Sequence, residues 1–211
     1  MVGFGEVLLL LVLMTDFAVL VTDRLSACIR ILAAQGVLLG LLPLALGRPG
    51  SLHVWVIAVG TIAIKAVVLP RTLQWAIREV AVRRELRPAI GYVGSVLLGL
   101  LAVGAGFGVA TRLPPPATAP WLVPVSLASL MIGFIVLTTR RKALSQVIGY
   151  LMLENGIFLF GLTLSDSLPV LVELGVLLDV FVGVLIMGLV VFQINRELET
   201  LDSSRLTELS D

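Results

Sequence analysis

Five ionisable residues lie inside long apolar stretches of the sequence, where a charge is costly. They are Asp16, Lys65, Glu154, Glu173 and Asp179. A charged side chain at the centre of a membrane span costs about 2.5–3.5 kcal/mol on insertion scales, so each residue needs a functional or structural reason. Carboxyl groups in a low-dielectric medium bind protons more readily, and a line of them bridged by water can pass protons or relay a change of charge. The five residues are therefore candidates for ion or proton coupling.

The five residues differ in their expected depth in the membrane. Glu154 and Asp179 lie near the middles of two consecutive stretches joined by a short turn, so we expect two carboxylates at matched depth. Asp16 and Lys65 are expected on the cytoplasmic side of the midplane. Glu173 precedes Asp179 by six residues, about 9 Å along a helix and on another face.

A structural role is the alternative for these buried charges. A lone acid often pairs with a neighbouring helix and stabilises packing, and this reading stays open for Asp16 and for Glu173. The matched depth of Glu154 and Asp179 favours function. Polar bridging contacts are expected from nearby side chains: Gln35, Gln146, Tyr150, Asn155 and Thr163.

The composition of the chain favours a lipid environment. The 211 residues are 58% hydrophobic and 14% charged, whereas soluble domains are about 45–50% apolar and about 25% charged. These values argue against a soluble enzyme or a disordered chain, and the net charge of +1 argues against a nucleic-acid binder. With one cysteine, Cys28, and one histidine, His53, we expect no disulfide, no metal site and no cofactor.

The apolar pattern predicts an all-α, polytopic membrane protein with about seven spans. The spans are expected near Gly3–Val21, Ile29–Leu46, Leu52–Leu69, Pro88–Ala110, Trp121–Thr138, Leu144–Leu164 and Pro169–Ile194. A proline-rich connector at 112–120 separates a four-helix part, 1–111, from a three-helix part, 121–195, which a cytoplasmic tail follows at 196–211. In the fourth span, small residues at Gly91, Ser95, Gly99, Gly104 and Gly108 predict close helix packing.

Basic residues are concentrated in alternate loops. One set comprises Arg24, Arg30, Arg71, Arg78, Arg83, Arg84, Arg87, Arg140, Arg141, Lys142, Arg196 and Arg205, and the opposite loops hold Arg48 and Arg112. The positive-inside rule then predicts a multi-pass protein of the inner (plasma) membrane, with the N-terminus outside and the C-terminus in the cytoplasm. The basic stretch 71–87 is either an interfacial amphipathic helix or simply a topology determinant, and we favour the second reading.

Two sequence strings resemble a known family. Val147–Phe160 reads VIGYLMLENGIFLF and Val172–Leu185 reads VELGVLLDVFVGVL, and the basic turn Arg140–Lys142 precedes them. Together they resemble the hydrogenase-4 component E family of formate hydrogenlyase-type complexes. Over 121–195 the chain is also similar to the K-type subunit of respiratory complex I and to the C subunit of Mrp antiporters.

The resemblance assigns roles residue by residue. Asp179, followed by Gly183, matches the last-helix glutamate of the K-type subunit. Leu151 stands where the other K-type glutamate would lie. Glu154 follows three residues later, about 4.5 Å along the axis and near the same face. Glu154 either replaces that glutamate functionally or only resembles it.

The resemblance implies a non-catalytic membrane subunit of a complex-I-like hydrogenase or related oxidoreductase, with no redox centre of its own. Its expected partners are antiporter-like and quinone-pump-like membrane subunits and, indirectly, a soluble hydrogenase module. Its expected role is proton translocation or ion coupling through the five buried residues. A stand-alone ion or small-molecule transporter and a purely structural scaffold are the alternatives, although the internal repeats and broken helices of many transporters are not evident.

Overall fold

A computed structural model describes residues 3–46, 52–79, 90–113, 119–140 and 143–163, together with 178, 181–184 and 188. The elements are α1 (Phe4–Val21), α2 (Leu25–Leu46), α3 (Leu52–Thr61), a π-helical segment (Ile62–Val68), α4 (Leu69–Glu79), α5 (Gly91–Ala110), α6 (Leu122–Thr139) and α7 (Ala143–Thr163). In this part of the chain, six helical stretches are long and apolar enough to cross a membrane. The prediction of an all-α polytopic membrane protein is confirmed.

The predicted seventh span, Pro169–Ile194, falls mostly outside the described residues. Residues 178, 181–184 and 188 within it are helical. Glu173 and Asp179 lie outside the described residues, so their assigned roles stay predictions. Among the other spans, α2 begins at Leu25, one turn earlier than predicted.

The third span is longer than the sequence analysis predicted. Helical structure continues from α3 through the π segment into α4, so that the apolar crossing extends over Val54–Arg78. The sequence analysis ended this span at Leu69, directly before Pro70 and Arg71. A proline ring crowds the carbonyl group four residues earlier, here that of Ala66. The π segment widens the helix at this point, with the Leu69 N–H bonded to the Ile64 carbonyl five residues back, and the helix continues.

This continuation places Lys65 near the middle of the long third crossing, within the π segment. Its location on the cytoplasmic side of the midplane stays a prediction. The same continuation bears on the basic stretch 71–87. Leu73 and Ala76 of α4 are buried in the protein core, while Arg71 and Arg78 are exposed. The described half of that stretch is therefore part of a packed helix and not a separate interfacial one.

Glycines set the closest helix contacts. Gly133, Gly149 and Gly156 lie against the facing backbones of α6 and α7, which form the most intimate pair of helices described. On α5, Gly99 packs against Phe17 and Leu20 of α1, as the predicted small-residue stripe required. The stripe then continues through Gly106, which faces α6. Positions 91, 104 and 108 have open space instead, so the prediction was wrong for those three glycines.

Candidate functional site

A buried ion pair joins the π segment to α7. The Nζ of Lys65 donates a hydrogen bond to the Oε2 of Glu154 at 2.5 Å, and their side chains are 4% and 1% exposed. The same ammonium group lies 5.7 Å from the ring centroid of Phe158, one turn after Glu154. Removing two charges from water is costly, and mutual attraction offsets that cost only when the partners meet closely, as they do here.

A second polar cluster surrounds Asp16, which is fully buried on α1. Its Oδ1 accepts a hydrogen bond from the Gln35 Nε2 at 2.8 Å, and its Oδ2 accepts one from the Ser129 Oγ at 2.6 Å. Gln35 in turn accepts a hydrogen bond at its Oε1 from the Asn155 Nδ2 at 2.9 Å. The cluster connects α1, α2, α6 and α7, so four apolar helices share one chain of polar side chains.

The ion pair and the Asp16 cluster lie next to each other. Asn155 directly follows Glu154 in the chain, and Gly36, directly after Gln35, lies against the backbone of Lys65. A cavity of about 10 Å³ has Lys65 and Asn155 as its polar lining. That volume holds roughly one water molecule. The apolar remainder of its wall is formed by Ile29, Leu32, Leu69, Pro70, Leu73 and Leu151.

The structure brings together three of the five predicted site residues, namely Asp16, Lys65 and Glu154. Among the expected bridging groups, Gln35 and Asn155 join the cluster. Gln146 is exposed, and the Thr163 hydroxyl donates to the Phe160 carbonyl of its own helix.

The sequence analysis did not identify a serine on α6 and two glycines on α2 that contribute to the site. Ser129 is one of two serines in the otherwise apolar α6, and a serine in a span was the available signal. Gly36 and Gly40 are spaced four residues apart on α2, and both face the third crossing. That spacing is the usual mark of a close helix contact in membranes.

Arg140 belongs to the basic loop residues from which the membrane orientation is predicted. Its side chain is nevertheless buried at the end of α6, where it is 3% exposed. Its Nη2 donates to the Val19 carbonyl near the end of α1 at 3.3 Å. Burial lowers the pKa of the Arg140 guanidinium from its ordinary value. The residue therefore ties the ends of two helices together.

The amino-acid sequence of the chain has known relatives. The uncharacterized protein Rv0085 of Mycobacterium tuberculosis is 34% identical over 192 residues, covering 89% of this chain and 87% of that protein. The chain belongs to the same family as Rv0085. It is also a homologue of hydrogenase-4 component E. The Escherichia coli K12 and Shigella flexneri proteins of that name are each 29% identical over 147 residues, 69% of this chain and 68% of theirs.

The family of NADH-ubiquinone/plastoquinone oxidoreductase chain 4L matches residues 121–211. No solved structure matches the chain significantly. In this hydrogenase-4 component E homologue, Ser129, Glu154 and Asn155 fall within the chain 4L match, whereas Asp16 and Lys65 precede it. The site is thus built jointly by the chain 4L-like part and the helices before it. The apolar helices and these relatives make the chain a multi-pass inner-membrane protein of a membrane complex.

Proposed function

We propose that this chain is a membrane subunit of a complex-I-like hydrogenase or related oxidoreductase, in which its buried charges couple ion or proton movement to the complex. The homology to hydrogenase-4 component E and to chain 4L supports the type of complex. The buried Lys65–Glu154 pair is the observation that carries the coupling role. A scaffold needs no charges at this depth, where they are costly.

The ion pair suits a relay because one proton transfer changes its electrostatic state. When the proton that Lys65 shares with Glu154 moves to the carboxylate, an ammonium and a carboxylate become an amine and a carboxylic acid. In a low-dielectric interior this switch alters the field at neighbouring polar groups much more than it would in water. The pair therefore serves as an element that passes a change in its charge separation on to neighbouring groups.

The proposed coupling set also includes Asp16, Glu173 and Asp179. The resemblance to K-type subunits supports Asp179, and the cluster geometry supports Asp16. The proposed neighbours are an antiporter-like subunit and a quinone-pump-like subunit, with the soluble hydrogenase module contacted indirectly. In this arrangement the three-helix part, 121–195, carries the K-type role, and the four-helix part, 1–111, supplies Lys65 and Asp16.

The test uses the assembled complex in liposomes, with ion uptake measured per electron transferred. Glu154→Gln and Asp179→Asn keep side-chain size while removing a titrating charge. The glutamine oxygen can still accept the hydrogen bond from Lys65, so the complex is expected to assemble and to lose coupled ion uptake. Asp23→Asn, which changes an exposed carboxylate after α1, is the matched control and should behave as wild type.

Three outcomes would overturn the proposal. Full coupled uptake with Glu154→Gln at normal subunit levels would remove Glu154 from the path. Wild-type coupling with Asp179→Asn, combined with failed assembly of Asp179→Leu, would make Asp179 structural. Ion flux catalysed by the purified chain alone would favour a stand-alone transporter.

A further inference from the structure

We propose that Gln35 and Asn155 form an amide bridge that makes Asp16 responsive to the charge state of the Lys65–Glu154 pair. The inference rests on the proposed coupling function and names its internal connection. Gln35 and Asn155 are positioning residues in this scheme, because neither titrates. Their part is to join the two ionisable centres through a row of hydrogen bonds.

The two hydrogen bonds of the bridge run in the same direction. The Asn155 amide donates to the Gln35 oxygen, and the Gln35 amide donates to Asp16. Both N–H groups therefore point toward the carboxylate, and each bond polarises the next in the same sense. A change in charge at the Asn155 end is transmitted along this aligned row to Asp16.

Each residue of the bridge is adjacent in the chain to a residue of the ion pair or to one that packs against it. Asn155 follows Glu154 on α7, so any movement of the Glu154 backbone moves the donor of the bridge. Gln35 precedes Gly36, which lies against the backbone of Lys65 without room for a Cβ atom. Lys65 and Asn155 also line the same water-sized cavity. Asn155 is thus the chain neighbour of Glu154, and Gln35 is the chain neighbour of the glycine that packs against Lys65.

Neutral donors and few charges surround Asp16. Helix α1 packs against α2, α5 and α6. The described ionisable groups on those elements and at their ends are Asp23, Arg24, Cys28, Arg30, Tyr92, Arg112 and Arg140. Arg140, the buried cation among them, donates to the Val19 carbonyl, one turn further along α1. The donors that the described structure places on Asp16 itself, Gln35 and Ser129, are both neutral. The amide row is therefore the hydrogen-bonded connection from Asp16 toward the ion pair.

Infrared difference spectroscopy of the assembled complex tests the bridge. The absorption of Asp16 is assigned as the band that Asp16→Asn removes. Glu154→Gln is expected to shift this band when the bridge is intact. In an Asn155→Leu background, which keeps the number and branching of side-chain heavy atoms and leaves both donors of Asp16 in place, the shift caused by Glu154→Gln should be lost.

Gln35→Met provides a second break in the bridge should Asn155→Leu fail to assemble, and the same loss is expected. Gln146→Met, at an exposed position on α7, is the matched control and should leave the shift intact. An equal shift with and without the bridge would overturn the proposal in favour of direct electrostatics. Absence of any shift in the wild-type background would show that the two centres are independent.

These results are distinguishable from failure of the proposed function. The infrared shift reports communication between Asp16 and Glu154 whether or not ions are transported. A shift that depends on Asn155, together with normal coupled uptake in Glu154→Gln, would keep the bridge and reject the relay. Impaired uptake in Glu154→Gln with an unchanged Asp16 band would keep the relay and reject the bridge.

Discussion

Gly36 on α2 lies directly against the backbone of Lys65 in the π segment. A Cβ atom at position 36 would come within 2.8 Å of both the carbonyl carbon and the Cβ of Lys65. This contact fixes the separation between α2 and the third crossing at the level of the ion pair. The position of the lysine ammonium therefore depends on a residue that has no side chain.

Gly36→Ala should displace the π segment and weaken the Lys65–Glu154 contact. Overpacking of this kind costs about 1–3 kcal/mol. We expect a lower thermal midpoint of the assembled complex and reduced coupled ion uptake. Gly104→Ala on α5 is the control, because its Cβ would meet open space. Equal stability of the two variants would show that α2 and the third crossing are not held at this distance.

Breaking the ion pair from one side should cost more than removing it altogether. Lys65→Met or Glu154→Leu alone leaves one buried charge without its partner, at a cost of about 3–5 kcal/mol. The double variant Lys65→Met/Glu154→Leu should recover assembly, measured as subunit level in purified membranes, without recovering coupled ion uptake. Recovery of both would make the pair a packing device. Failure of the double variant to assemble better than the single variants would contradict the buried pairing.

The sequence predicted the spans well where apolar residues end at polar loops. It failed at the third span because Pro70 and Arg71 are stop signals for an isolated helix. The π segment accommodates the proline, and α4 buries Leu73 and Ala76 against the rest of the protein. Neither effect can be read from local propensity, because both depend on tertiary contacts.

The candidate site was predicted in its ionisable members but not in its pairings. Position in an apolar stretch was enough to identify Asp16, Lys65 and Glu154, since charge there is costly whatever the fold. The partner of Asp16 on α6, Ser129, is 113 residues away in the chain. Helical periodicity relates residues three or four apart and carries no information on such a contact.

The membrane orientation remains a prediction from the arginine distribution. Reporter fusions after Asp211 and after Arg83 should both report the cytoplasm, and fusions after Arg112 should report the outside. The two internal fusion sites flank α5, a single crossing of 20 residues. The same location for Arg83 and Arg112 would reject the seven-span arrangement.

The sharpest test of the relay exchanges Glu154 with Leu151. The resemblance to K-type subunits predicts that Leu151 stands where they carry a glutamate, and Leu151 lines the same small cavity as Lys65. The two positions are three residues apart on α7, so their side chains are neighbours on the helix surface. A carboxylate at position 151 should therefore still reach Lys65, directly or through one water molecule.

Glu154→Leu alone should abolish most coupled ion uptake per assembled complex, because no carboxylate is then left to exchange a proton with Lys65. The double variant Glu154→Leu/Leu151→Glu should regain part of the uptake at equal subunit levels. Such recovery would show that the site requires a carboxylate facing Lys65 rather than Glu154 itself. If the double variant is as inactive as Glu154→Leu, the surroundings are specific to Glu154, since Asn155 beside it is held by Gln35.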